Sequence, residues 1–173
     1  MKVGVFADAH DHIDNVRRAI VVFNRLGCDL VLFAGDFVSP LVIPPLRKLI
    51  CPLIACFGDN DGNRTGITGG MRVVGTLAEP PVGIRLPDGT KVLLTHELSR
   101  LKGQLDGAEI VIWAHSHKPS IAHDSAGRLL LNPGETSGWV FRKPSVAWFD
   151  SRTRQAEIIP LPEPGPPPVI EPF

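Results

Sequence analysis

Cysteine is scarce in this chain. Cys28, Cys51 and Cys56 are the only three in 173 residues, an odd number with no C-x-x-C pair. That argues against a disulfide framework and a thiolate metal site, and it suits a reducing compartment. Net charge is also missing: 18 Lys and Arg balance 18 Asp and Glu. Without a basic excess or a local Lys/Arg cluster, the footprint of a dedicated DNA or RNA binder is absent. No apolar stretch approaches the ~20 residues of a membrane span. The first residues carry one Lys and then enter an apolar run, with no leader-like segment, so the chain reads as cytoplasmic and membrane-free. No G-x-x-x-x-G-K-S/T loop, G-x-S-x-G elbow or G-x-G-x-x-G fingerprint is found, nor any internal repeat. The remaining composition, 43% hydrophobic and 21% charged, is that of an ordinary globular domain.

What the chain does have is a repeated arrangement. Val3-Gly4-Val5-Phe6-Ala7 is an unbroken apolar run that reads as a strand buried on both faces, and it ends in Asp8-Ala9-His10. Leu30 to Ala34 runs into Gly35-Asp36, and Leu53 to Phe57 into Gly58-Asp59-Asn60-Asp61. Val92 to Thr95 runs into His96, and Ile110 to Trp113 into Ala114-His115-Ser116-His117. Five apolar runs each deliver a metal-ligand residue type at the carboxyl end, the edge of an open α/β sheet where ligands bind.

Between the runs, a helix is expected from about Asp14, as N-cap, to Leu26, with Gly27 as its stop. Val16, Ala19, Ile20 and Phe23 form its apolar face. Pro44-Pro45 should open a short helix carrying Leu46 and Leu49. Arg64 to Gly75, with four glycines, reads as a mobile loop. A β-hairpin is expected over Val82 to Leu94, a short helix or turn over Glu97 to Lys102, and strands at Ser120 to His123, Arg128 to Leu131, Val146 to Asp150 and Ala156 to Pro160. The architecture implied is an α/β two-sheet β-sandwich flanked by helices. The first half supplies a largely parallel sheet and the second supplies hairpins. Residues 1–162 form the domain, and 163–173 are a Pro-rich, extended tail.

The candidate ligands are Asp8, His10, Asp36, Asp59, His96, His115 and His117, which include four of the six histidines. Carboxylates mixed with imidazoles, without thiolates, suit Mn²⁺, Fe²⁺ or Zn²⁺. Seven ligands are too many for one such ion but fit two ions sharing a bridging carboxylate, the arrangement that brackets a phosphoryl group. In an extended segment His115 and His117 would point the same way and could reach one ion each.

These ordered motifs resemble those of the calcineurin-like metallophosphoesterases: D-x-H, G-D, G-N-x-D or G-N-H, H, then G-H-x-H. The size and the later Leu131-Asn132-Pro133-Gly134 are similar to the small single-domain phosphodiesterase branch. The resemblance covers roughly residues 1 to 150. It implies that Asp8, His10 and His117 hold one divalent ion, that Asp36 bridges, and that Asp59, His96 and His115 hold the second. Mn²⁺ is the expected metal, with Fe²⁺, Zn²⁺ and Ni²⁺ as alternatives. It also implies hydrolysis of a small phosphodiester, or another phosphate substrate, by a metal-bridging hydroxide, and leaves room for a homo-oligomer; nucleic acid and membranes are not expected partners.

The chain departs from the pattern in four places. Asp59 stands where the family usually has Asn, Glu97-Leu98 follow His96 in place of Gly-His, and Ala114 replaces the Gly of G-H-x-H. Asn60 stands where phosphatase relatives carry a proton-donating His. Asp61 is then the nearest candidate to protonate the leaving group, with metal-bound water as the alternative, and Asn60 and Asp61 are taken as the catalytic pair. Arg64 reads as a solvated loop residue, or else a phosphate clamp. The competing reading is a weakly catalytic or non-catalytic metal-binding interaction scaffold of the same fold, like the retromer subunit that also carries Asp at the Asn position.

Overall fold

The structure is a computed structural model and describes residues 1–161, Gln104 and Asp106 excepted. The tail expected over 163–173 lies outside the described residues. Among the described residues, eleven strands are arranged in two sheets. One has the order β11-β10-β1-β2-β3-β4 and the other β5-β6-β7-β9-β8. The strands are β1 Lys2–Phe6, β2 Leu30–Phe33, β3 Leu53–Cys56, β4 Thr76–Ala78, β5 Val82–Arg85, β6 Lys91–Leu94, β7 Ile110–Ile112, β8 Ser120–His123, β9 Leu129–Asn132, β10 Ser145–Asp150 and β11 Ala156–Pro160.

The unbroken apolar character of β1 has a direct cause: its two faces serve two cores. Val3, Val5 and Ala7 point between the sheets, where they meet Leu32, Leu94, Ile112, Leu131 and Phe149. Phe6 points the other way, into a second core with Phe23, Phe33, Phe37, Leu46 and Met71 under the helices. Phe6 lies 5.7 Å from Phe23 and 4.4 Å from Phe33, ring centre to ring centre, in tilted arrangements that aromatic quadrupoles favour.

Helix α1, Ile13–Leu26, presents Val16, Ala19, Ile20 and Phe23 to that core. Its stop is as expected: Gly27 is left-handed, its N–H bonds to Asn24 O, and Cys28 N–H bonds to Phe23 O, which closes the helix on its free carbonyls. The start differs from expectation. His12 is the N-cap, its imidazole accepting from Asn15 N–H, and Asp14 falls in the first turn, where its charge suits the positive helix end. The proline pair yields only one turn, α2 (Ile43–Leu46), preceded by a 3₁₀ turn over Pro40–Val42.

The expectation of a mobile loop over 64–75 is overturned. Helix α3 spans Arg64–Met71, is capped by the Asn63 side chain on Gly66 N–H, and buries Ile67 and Met71. Its glycines permit close packing. A Cβ on Gly66 would lie 2.5 Å from Pro40, and one on Gly70 would lie 3.0 Å from Ile43. Tertiary contact thus outweighs the poor helix propensity of glycine. Strand β4 then follows unannounced, pairing parallel to β3.

The second half also differs from a simple run of hairpins. β5/β6 and β8/β9 are antiparallel, but β6/β7 and β7/β9 are parallel. β10 leaves this sheet altogether and pairs antiparallel with β1. Consequently β1, β2, β3, β6 and β7 all deliver their carboxyl ends to one rim of the sandwich. Among the described residues no helix is long and apolar enough to cross a membrane.

Candidate metal centre

The loops at that rim are stitched to one another by backbone bonds. Asp8 N–H donates to Gly35 O at 3.0 Å, and Ala9 and His10 N–H donate to Asp36 O at 3.0 and 3.1 Å. Ala114 N–H donates to His96 O at 2.9 Å, while Thr136 and Ser137 N–H reach Ala7 O and Asp8 O at 2.9 and 3.1 Å. Five of the seven candidate ligands have left-handed backbones: Asp8 (φ 51°), His10 (40°), Asp36 (66°), His115 (66°) and His117 (60°). Each such residue costs on the order of 1–3 kcal/mol and persists only where surrounding structure enforces it. Side-chain braces complete the enforcement. Asp61 Oδ1 accepts from Val38 N–H at 2.8 Å, and Asp11 Oδ1 accepts from the Ser39 N–H and hydroxyl at 3.2 and 2.8 Å.

The motif glycines are required by close approach. A Cβ on Gly35 would sit 2.8 Å from Gly58 Cα and 2.8 Å from His96 Nδ1. One on Gly58 would sit 2.1 Å from Asp36 Oδ1. The loops after β2 and β3 therefore meet backbone to backbone beside the Asp36 carboxylate.

All seven side chains gather there. Donor atoms of Asp8, His10 and His117 lie within 4.8 Å of one another, as do those of Asp59, His96 and His115, and those of Asp8, Asp36 and His96. Asp36 Oδ2 stands 3.4 Å from both His10 Nε2 and His96 Nε2, so it faces both groups. His96 Nε2 is 2.8 Å from Asp59 Oδ1, His115 Nδ1 is 3.0 Å from the same oxygen, and His117 Nε2 is 3.8 Å from Asp8 Oδ1. Ligands held at about 2.0–2.2 Å from one ion are about 2.8–3.6 Å apart over octahedral to tetrahedral angles, so several of these spacings suit shared coordination. Contrary to expectation, strand alternation does not bring His115 and His117 to the site; both instead have left-handed backbones in a tight turn closed by Ser116 N–H to Ala114 O at 2.7 Å.

Burial sharpens the case for cations. Asp8 and Asp36 are fully buried, and His96 is 2% exposed. Both Asp8 oxygens, His10 Nε2 and His96 Nε2 are buried and make no well-directed hydrogen bond, although carboxylate oxygens lie near both nitrogens. Unpaired groups of this kind are costly, and divalent ions would satisfy all four atoms at once. Burial pushes the Asp8 carboxyl up to about 7, with His96 and His117 pulling only partly the other way. Burial acts on Asp36 too, but His96 and Asn60 outweigh it and hold that carboxyl well below the usual range. Burial lowers His10, whereas Asp36 and Asp8 overcome burial at His96 and raise it to about 9. Donor chemistry, spacing and unpaired atoms all fit a pair of divalent cations.

The expected catalytic pair is placed otherwise. Asn60 grips Asp36 at two points, its N–H to Oδ1 at 2.9 Å and its Nδ2 to Oδ2 at 2.8 Å. Asp61 is 7% exposed, and its second oxygen accepts from Gly58 N–H at 2.7 Å. With both oxygens occupied by backbone amides, the Asp61 carboxylate braces the loops and is poorly placed to hand over a proton. Arg64, the first residue of α3, pairs with Glu79 and lies 3.9 Å over the Phe57 ring. His123 is exposed on β8, outside these groups.

Sequence reasoning missed Glu135. It is fully buried and accepts from Val140 N–H at 2.9 Å, Phe141 N–H at 2.6 Å and the Ser137 hydroxyl at 3.3 Å, with His117 Nδ1 at 3.1 Å. The two amides and His117 hold its carboxyl below its ordinary range despite burial. A carboxylate at Nδ1 fixes the His117 tautomer and aims Nε2 toward Asp8. The only signal was its place directly after Asn132-Pro133-Gly134. His96 is oriented in the same manner, its Nδ1 lying 2.7 Å from Ala34 O.

A family model described as a calcineurin-like phosphoesterase superfamily domain matches residues 1–154. The chain belongs to this superfamily. Among its relatives, phosphodiesterase MJ0936 of Methanocaldococcus jannaschii is 29% identical over 170 residues, covering 93% of this chain and 99% of the relative. A solved archaeal phosphodiesterase superposes with a TM-score of 0.86 at 29% identity, over 93% of this chain and 100% of its own. Fold alone is shared with more distant superfamily structures. A phosphoesterase from E. coli, Yfce, gives a TM-score of 0.69 at 15% identity over 94% of this chain and 100% of its own. Vps29 from Entamoeba histolytica, solved with Zn²⁺, gives 0.62 at 19% identity over the same shares.

Proposed function

We propose that this calcineurin-like phosphoesterase is a phosphodiesterase that acts on small-molecule phosphodiesters with two divalent cations, Mn²⁺ foremost. The observation that carries this reading is the pair of donor groups meeting at Asp36, with buried oxygens and nitrogens that make no well-directed hydrogen bond. The phosphodiesterase relative matched along nearly its whole length supports it. Asp8, His10 and His117 would hold one ion, Asp59, His96 and His115 the other, and Asp36 both. Bound there, the ions would activate water and neutralise charge developing on the phosphoryl oxygens.

The chain's own residues then set geometry. Asn60 fixes both oxygens of Asp36, Glu135 fixes His117, and the Ala34 carbonyl fixes His96, so the donors are held in place before any substrate arrives. Asp61 maintains the two approaching loops, and the leaving-group proton comes from water. The three cysteines are free thiols, in keeping with a cytoplasmic location.

Protein stripped of metal and reloaded with Mn²⁺ should approach two ions per chain by elemental analysis and gain thermal stability. It should also hydrolyse bis(p-nitrophenyl) phosphate only when loaded. Asp36→Ala should abolish both metal retention and turnover, whereas His123→Ala should behave as wild type. No bound metal together with no melting shift on adding Mn²⁺ would remove the metalloenzyme reading.

A further inference from the structure

Resting on the phosphodiesterase reading, we infer that Trp139, with Phe141, forms a stacking shelf beside the metal centre for phosphodiesters bearing a planar aromatic substituent, of which a nucleoside is the biological case. Eight large hydrophobic residues are exposed among the described residues, and most are scattered singly. Trp139 (62%), Val140 (58%) and Phe141 (43%) are consecutive. A grouped patch of this kind marks a binding surface, where isolated exposed residues do not.

This patch is anchored to the metal centre itself. The buried Glu135 carboxylate accepts from the Phe141 amide on Oε1 and from the Val140 amide on Oε2, the oxygen that also faces His117 Nδ1. The Trp139 indole N–H donates to the His10 carbonyl at 3.1 Å, which places the ring within one residue's reach of the His10 imidazole. Its ring stacks on His12 at 4.5 Å and 28° between planes. One face of the indole is thus covered, and its high exposure leaves the other open to solvent.

The surroundings suit a ligand that is flat at one end and anionic at the other. Lys118, next in sequence to His117, places its ammonium 5.4 Å over the Phe141 ring. Beside Trp139, which lines it together with His12, Asp14, Arg18, Ser137 and Arg142, is a cavity of about 390 Å³, within the size range of small-ligand sites. A phosphate anchored at the metals would leave a base attached through its sugar to lie against the open indole face. Stacking of this kind is sequence-tolerant, since every base has a π-face. The shelf therefore selects for aromatic character, with no preference among bases.

The experiment uses full-length, Mn²⁺-loaded protein and compares, by isothermal titration calorimetry, adenosine 5′-monophosphate with ribose 5-phosphate. The two ligands share phosphate and sugar and differ in the base. Wild type should prefer the nucleotide by at least about fivefold, the low end of a base-on-aromatic stack. That ratio should fall toward one in Trp139→Ala, recover in Trp139→Phe, and drop partly in Phe141→Ala. Using the ratio cancels any general loss of phosphate affinity in the variants. A wild-type ratio near one overturns the shelf whatever the variants do, and a ratio retained in folded Trp139→Ala overturns its assignment to that residue. Failure of both ligands to bind would instead strike the phosphodiesterase reading beneath it.

Discussion

Replacing Glu135 by Gln isolates the contribution of a residue that touches neither substrate nor metal. The carboxylate accepts from Val140 and Phe141 N–H and faces His117 Nδ1, and all of these are donors when His117 presents its other nitrogen to a cation. A carboxamide has one oxygen, so its NH₂ must face an N–H whichever way it turns. Turning the NH₂ toward Phe141 loses one bond and preserves His117; the opposite turn sets it against both Val140 and His117. The first orientation is the cheaper. It forfeits one amide-to-carboxylate hydrogen bond, about 1.5–3 kcal/mol, which in a chain of this size is a fall in Tm of about 3–12 °C. His117 also loses a charged partner, and second-layer changes of this type lower metal affinity roughly 10–100-fold. Thermal melts of metal-free protein and Mn²⁺ titrations read the two effects separately. If Glu135→Gln kept wild-type Mn²⁺ affinity while folded, the orienting role assigned to this carboxylate would be wrong.

Other expectations follow from the same geometry. In the metal-free protein Asp8 and His96 should together cost stability between about pH 4 and 9, offset in part below pH 6.5 by His10, which burial lowers. Asp8, raised by burial to about 7, is held neutral in the fold and penalises folding progressively from its unfolded value of 3.8 up to that pH. His96, raised to about 9 by its carboxylate neighbours, contributes stability that is full below 6.5 and lost as pH passes 9. Mn²⁺ competes with both protons, so its affinity should climb across this range; metal-free melts that rise steadily with pH would contradict the assignment. Gly58→Ala should expel Mn²⁺ and destabilise by roughly 1–3 kcal/mol or more, because its Cβ would fall 2.1 Å from Asp36 Oδ1; metal content and a melt check this. Asp59→Asn removes a negative charge from beside His96 and His115. It should need more Mn²⁺ for saturation yet turn over a phosphodiester faster once saturated, since the second ion keeps more Lewis acidity and anionic substrate is repelled less. Unchanged metal demand and unchanged kcat/KM would place residue 59 outside the coordination shell.

Much of this architecture is legible in the chain because strands buried on both faces must be apolar throughout. The runs 3–7, 30–34, 53–57, 92–95 and 110–113 announce themselves, and a carboxylate or imidazole at the end of each stands out against them. Local chemistry likewise dictates where α1 stops, since only a residue free to adopt positive φ suits position 27. Helix α3 was hidden because its glycines read as breakers. Their reason is the nearness of Pro40 and Ile43, which are more than twenty residues away in sequence. The parallel pairing of β7 with β9 and the return of β10 to β1 were hidden for the same cause: pairing partners are chosen by packing between sheets, and no local pattern encodes them.

The site divides along the same line. Residue type and position at strand ends nominated seven donors, but convergence of five separate loops on Asp36 is a tertiary property. So is the diversion of Asp61 to the Val38 and Gly58 amides, and of Asn60 to Asp36. Glu135 is marked in the sequence only by its place after Asn132-Pro133-Gly134, and Trp139, an aromatic among turn residues, carries no mark at all. Their meaning arises only when the loop after β9 folds back over β1, bringing a buried carboxylate to His117 and an indole to His10. Sequence could say which atoms are able to bind a cation. Which of them point at one another depends on loop backbones held in left-handed conformations, and only the packed sheets beneath those loops enforce them.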